Sequence, residues 1–113
     1  RKAGSMSDAP ITVYWRPGCG FCSSLLGGLL RSGLDFDRVD IWQDENGAAF
    51  VRSVAGGNET VPTVRVGGIA LVNPSAPDVL RTVEAEVPEH LPDGYEPPRA
   101  GLVARAISRL LGG

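Results

Sequence analysis

The tetrapeptide Cys19-Gly20-Phe21-Cys22 stands between two apolar runs of different period, and that placement constrains the fold more than any other feature. Ahead of it, Ile11-Thr12-Val13-Tyr14-Trp15 reads as a short buried strand. Behind it, a helix is expected from Cys22 to Ser32, with Leu25, Leu26, Leu29 and Leu30 on one face at the 3.6-residue period. A strand that runs through paired cysteines into a helix opens a βαβ unit. Gly27 and Gly28 sit inside that helix at a cost on the order of 1 kcal/mol each against Ala. Close approach of another backbone would be a reason to tolerate them.

The rest of the chain continues the alternation. Leu34 to Trp42 reads as a second strand with weaker periodicity, and Ser32-Gly33 as the break before it. Asp44-Glu45 places acid where a helix begins, as the helix dipole prefers. Ala48, Phe50, Val51 and Val54 run along that helix, and Gly56-Gly57-Asn58 stops it. Thr63-Val64-Arg65-Val66 and Ile69-Ala70-Leu71-Val72, separated by Gly67-Gly68, carry the signature of a two-residue hairpin. Asn73-Pro74-Ser75 then supplies a turn and an N-cap for a third helix running to about Val87, with Val79, Leu80, Val83 and Val87 apolar. The order β-α-β-α-β-β-α over residues 10–88 predicts an α/β domain, a mixed four-stranded sheet flanked by helices. Residues 89–113 are expected to be a Pro-rich linker and a short amphipathic helix, Ala100 to Leu111, docked on its own domain. Arg1 to Ser5 look like the remnant of an expression tag, with Met6 as the natural start. Residues 1–9 are expected to be disordered.

Composition excludes several classes. With 113 residues the chain has room for one core and a short extension. A net charge of -2 lacks the basic footprint of nucleic-acid binding. No stretch approaches the ~20 apolar residues of a membrane span. The first ten residues have no apolar segment of a secretory signal. Two cysteines three apart cannot staple a small fold, so the disulfide-scaffold class is excluded and a reducing cytoplasm is the expected compartment; a monomer is the expected state.

The position of the cysteines dictates their chemistry. Free N–H groups and the positive end of the helix dipole face Cys19 and favour its thiolate, the nucleophilic form of a thiol. Cys22 follows one turn later, with a β-carbon separation of roughly 5–6 Å at that spacing. That is near the roughly 3.5–4.5 Å of a disulfide, and Gly20 allows the adjustment. Two thiolates fill only half of a tetrahedral zinc site, and no second ligand pair follows. A redox pair is the reading that fits.

Taken together, Val13 to Cys22, Thr60-Val61-Pro62-Thr63 and the Gly67-Gly68 turn resemble the glutaredoxin family of the thioredoxin fold, over about residues 10–87. Within it the chain is similar to the mycoredoxins, which use mycothiol instead of glutathione. The Cys-Gly-aromatic-Cys motif, Val54-Ala55-Gly56-Gly57-Asn58, Thr60-Val61-Pro62-Thr63 and Asn73-Pro74-Ser75 carry that likeness. Glutathione-using members commonly place an acidic pair at the start of the third helix to bind the glutathione amino group, and residues 73–75 hold none. Mycothiol has no such amine. Trp15-Arg16-Pro17-Gly18 and the tail after Val87 depart from the family pattern.

The resemblance implies that Cys19 is the nucleophile and Cys22 a resolving thiol, and that the Val61–Pro62 bond is cis, leaving the Val61 backbone free to pair with an extended substrate. Thr60 belongs to the same segment. Arg16 supplies positive charge three residues before Cys19. Phe21 projects from the loop as a substrate contact. Gly67 and Gly68 could receive a carboxylate or sugar on their N–H groups, although a plain turn is the alternative. Asn73 and Ser75 are candidates for mycothiol binding or simple helix caps. Tyr14 and Trp15 divide between cleft wall and core, and Trp42, Asp44 and His90 read as structural or surface.

The activity implied is reduction of mixed disulfides between proteins and mycothiol, with no bound cofactor and mycothiol as co-substrate. Expected partners are mycothiolated or disulfide-containing proteins and a low-molecular-weight thiol. Three alternatives stand beside it. One is a dithiol redoxin reduced by thioredoxin reductase and serving ribonucleotide reductase. Another is a dimeric iron–sulfur cluster carrier, against which the lack of that subfamily's upstream lysine counts. The last is an adaptor whose tail recruits a protein.

Overall fold

In the computed structural model, residues 9–95 are described. The expected tag remnant and the tail helix lie outside the described residues. The elements are β1 (Ile11–Trp15), α1 (Gly20–Ser32), β2 (Asp37–Asp40), α2 (Glu45–Val54), β3 (Thr63–Val66), β4 (Ile69–Val72) and α3 (Ala76–Glu86), followed by a 3₁₀ turn at Pro88–His90. They form one mixed sheet of order β2-β1-β3-β4, with β1 parallel to β2 and antiparallel to β3.

Alternation along β1 divides the core in two. Ile11 and Val13 point to one face, where Leu25, Leu26 and Leu29 of α1 and Val79, Leu80 and Val83 of α3 cover them. Tyr14 points to the other, against Ala48 and Val51 of α2. Gly47 lets α2 lie close on that face, since a β-carbon there would stand 2.6 Å from a Val39 methyl. Leu91 and Tyr95, after the 3₁₀ turn, pack on the α1/α3 core.

Two expected boundaries move. Helix α1 begins at Gly20, two residues early, because Cys19 itself serves as the N-cap and accepts the Cys22 N–H on its sulfur. Strand β2 spans only Asp37–Asp40, where Leu34 to Trp42 was expected. Leu34 and Phe36 are apolar because they plug the core from the loop before the strand. After it, the Asp40 carboxylate accepts the Trp42 N–H and its carbonyl accepts the Gln43 N–H, turning the chain off the sheet. The hairpin has the expected bounds.

Candidate functional site

The C-terminal end of β1, the N-terminus of α1 and the segment before β3 converge on the two cysteines, which are free thiols. Cys19 is 9% exposed and Cys22 1%, so only the first meets an approaching group. The Cys22 N–H donates to Cys19 Sγ at 3.3 Å, and the Cys19 thiol donates to the Val61 carbonyl at 3.7 Å across 42 residues of sequence. Val61 precedes Pro62 through a cis peptide bond.

The two thiols are driven apart in acidity. Burial pushes Cys19 up, but the Cys22 thiol, the Cys22 N–H, the Arg16 charge and the Phe21 N–H together hold it below its ordinary value. Cys22 is pushed up to about 11, first by burial, then by donating to Cys19 and by facing the negative charge there. The thiol nearer solvent is thus the more acidic of the two and the buried one the less, and the thiolate is the nucleophilic form.

Between the first turns of α1 and the β4–α3 turn lies a cleft of about 350 Å³ lined by Phe21, Ser24, Leu25, Asn73, Pro74, Ser75 and Ala76, two residues along the chain from Cys19 at its Phe21 end. Phe21 is 70% exposed at its rim. The Asn73 N–H donates to the Pro62 carbonyl at 2.7 Å, tying the β4–α3 turn to the Val61–Pro62 segment. Asn73 has a left-handed backbone (φ 56°), which an asparagine tolerates better than most residues. Ser75 caps α3 in a reciprocal box with Asp78. Thr60 contributes its carbonyl to the Thr63 hydroxyl at 2.8 Å.

Gly67 and Gly68 are not brought to this site. The Gly67 N–H donates to the Pro10 carbonyl just before β1, whereas Cys19 follows the other end of that strand. The antiparallel β1–β3 pairing carries the hairpin turn away from the cysteines, so these glycines serve the turn. Tyr14 is wholly buried against Phe50, with ring centroids 4.9 Å apart, and Trp15 packs on both cores. Sequence reasoning missed Trp42, an exposed ring over which the Arg16 guanidinium lies at 5.5 Å. Its one signal was a large aromatic next to an Asp turn. No group of three or more metal-ligating side chains occurs among the described residues.

A thiol pair at a helix N-terminus, facing a cis-proline segment on a mixed four-stranded sheet, defines a thiol–disulfide oxidoreductase of the thioredoxin fold. The glutaredoxin family profile matches residues 11–70. The chain is 42% identical over 76 residues to Mycoredoxin 1 of Corynebacterium glutamicum, covering 66% of this chain and 94% of that protein. It is 44% identical over 75 residues to a provisionally named glutaredoxin of Mycobacterium tuberculosis, covering 66% and 89%. Among solved structures, glutaredoxin from Archaeoglobus fulgidus shares the fold at a TM-score of 0.55 and 21% identity, over 71% of this chain and 87% of that one. Poplar glutaredoxin C1 in its holo form aligns at a TM-score of 0.51 and 23% identity, over 70% and 78%. The chain belongs to the glutaredoxin family.

Proposed function

We propose that this oxidoreductase reduces mixed disulfides between proteins and mycothiol, with Cys19 as nucleophile. The observation that carries the reading is the cleft between α1 and the β4–α3 turn, whose α3 end presents Asn73, Pro74 and Ser75 and no carboxylate pair. Such an end suits a polyhydroxylated thiol, which offers hydroxyls, better than one with a free amine. Likeness to a protein named Mycoredoxin 1 supports the same co-substrate.

In the first step the Cys19 thiolate attacks the mycothiol sulfur of the mixed disulfide. The new bond joins Cys19 to mycothiol, and the protein sulfur leaves as a thiolate that takes a proton from water. A second mycothiol thiolate then attacks the mycothiol sulfur of the adduct, giving mycothiol disulfide and returning Cys19 as thiolate. Alternatively Cys22 attacks Cys19 Sγ, closing the 19–22 disulfide and expelling mycothiol. A Cys22 pKa of about 11 leaves roughly one thiol in ten thousand ionised at pH 7. Once Cys19 is bonded to mycothiol its charge is gone, and Cys22 is eased toward ionisation.

Phe21 and the Val61 backbone flank the sulfur where a substrate would lie; among the described residues the Val61 N–H has no partner. A reducing cytoplasm is the compartment in which this reaction is needed. The test is mass spectrometry of the Cys22→Ser protein after exchange with mycothiol disulfide and glutathione disulfide. Selective mycothiol addition at Cys19, with turnover coupled to mycothiol disulfide reductase and NADPH, is expected. Preferential glutathione addition, or turnover only with thioredoxin reductase, would overturn it.

A further inference from the structure

We infer that Trp42, on the connection between β2 and α2, is a positioning residue that holds the Arg16 guanidinium, three residues before Cys19, over its ring. The inference rests on the reading of Cys19 as the nucleophile.

Four observations carry it. Trp42 is 61% exposed, so burial gives no account of so large an apolar ring at this position. Arg16 lies over it, 5.5 Å from the guanidinium carbon to the ring centroid, within cation–π range. The backbone that carries the ring is fixed in place: the Ile41 N–H donates to the Trp15 carbonyl at 2.9 Å, and the Trp42 N–H to the Asp40 carboxylate at 2.9 Å. This connection is therefore bonded to the residue immediately before Arg16. The guanidinium also donates to the Pro17 carbonyl at 3.2 Å, which gives it both a ring and a backbone contact.

These contacts matter because an unrestrained arginine spends much of its time extended into water. A surface cation–π contact shifts that population roughly two- to fivefold toward the held form. The charge of Arg16 reaches both thiols and favours the thiolate of each. The other charged groups around the site are engaged elsewhere. Asp40 takes the Trp42 N–H, Asp44 takes the Gly47 N–H, and Glu59 pairs with Arg52. Arg16 is the cation acting on Cys19 among the described residues. Its mean distance from the sulfur is what Trp42 sets.

The experiment titrates Cys19 alone, in the Cys22→Ser background, by ultraviolet thiolate absorbance and by alkylation rate against pH. Arg16→Ala is expected to move the Cys19 midpoint upward, and Trp42→Leu to reproduce most of that rise. Trp42→Phe should keep the original midpoint, because a smaller ring still receives the cation. Trp42→Leu added to Arg16→Ala should produce no further change. An unmoved midpoint in Trp42→Leu overturns the inference. So does an equal rise with and without Arg16, which would mean that Trp42 acts independently of it. The titration reads the Cys19 thiol whether or not turnover passes through it. Failure of the nucleophile reading would show separately, as turnover surviving in Cys19→Ser.

Discussion

Gly28 of α1 and Ala76 of α3 meet so closely that a β-carbon on Gly28 would lie 2.9 Å from the Ala76 β-carbon. That contact sets the spacing of the two helices, and Ala76 also lines the cleft between α1 and the β4–α3 turn. Gly27, one residue earlier, faces only the flexible end of Arg31. The two glycines therefore respond oppositely to one methyl group. Gly27→Ala should stabilise the protein by up to ~1 kcal/mol through helix propensity. Gly28→Ala should destabilise it by about 1–3 kcal/mol, the usual cost of forcing a packed contact apart. Thermal unfolding of both variants measures this, and a Gly28→Ala protein as stable as its parent would show that the helices separate freely.

The acidity of Cys19 depends on Cys22 in a way that a rate profile can read. Burial raises Cys19, and the first group that overcomes it is the Cys22 thiol, followed by the Cys22 N–H. Cys22→Ala removes the thiol donor and keeps the N–H. The rate of Cys19 alkylation should rise with pH and level off below the ordinary thiol range in the parent protein. In Cys22→Ala the midpoint should lie higher. An unchanged midpoint would assign the lowering to the helix N–H groups and Arg16 alone.

These relationships were unequally visible in the sequence. The hairpin was legible to the residue because Gly67-Gly68 admits few geometries between two β-rich runs. The same topology held the clue that its turn lies away from the cysteines: β3 runs antiparallel to β1, so a turn following β3 meets the start of β1. Strand β2 was overread because Leu34, Phe36 and Ile41 are apolar in loops as well as strands, and periodicity cannot distinguish a core plug from a pleat. The Cys19–Val61 contact spans 42 residues and leaves no local trace. Trp42 is the clearest case. The sequence reads it as structural or surface, and only the fold shows the Arg16 guanidinium over its exposed ring.

Helix α3 starts where the cleft ends, so its cap affects both stability and binding. Ser75 accepts the Asp78 N–H at 3.2 Å, and the Asp78 carboxylate accepts the Ser75 N–H at 3.2 Å. The Ser75 N–H and then its hydroxyl hold the Asp78 carboxyl below its usual value. Ser75→Ala should cost about 1 kcal/mol, the typical loss for a helix N-cap. If Ser75 also binds the co-substrate, KM for mycothiol should rise while alkylation of Cys19 by a small reagent stays unchanged. A lower Tm with an unaltered KM would confine Ser75 to capping.

Alkaline stability should report Cys22 directly. Its pKa in the folded protein is about 11, raised by burial and by Cys19, against an ordinary thiol value of 9.0. A raised acid binds more protons folded than unfolded between those two values, so its stabilisation is complete below the ordinary value. It fades as pH climbs through about 11. At roughly 1.4 kcal/mol per pH unit, at most about 2–3 kcal/mol is lost over that range. Cys19, whose pKa is lowered, acts in the opposite sense: its stabilisation is present above the ordinary thiol value and fades as pH falls through its folded value. The alkaline loss therefore belongs to Cys22. Denaturant unfolding from neutral pH to pH about 11 should show a steeper decline in the parent than in Cys22→Ser, which has no thiol to ionise at that position. Parallel curves would mean that Cys22 ionises as readily in the fold as outside it, and that neither burial nor Cys19 raises it.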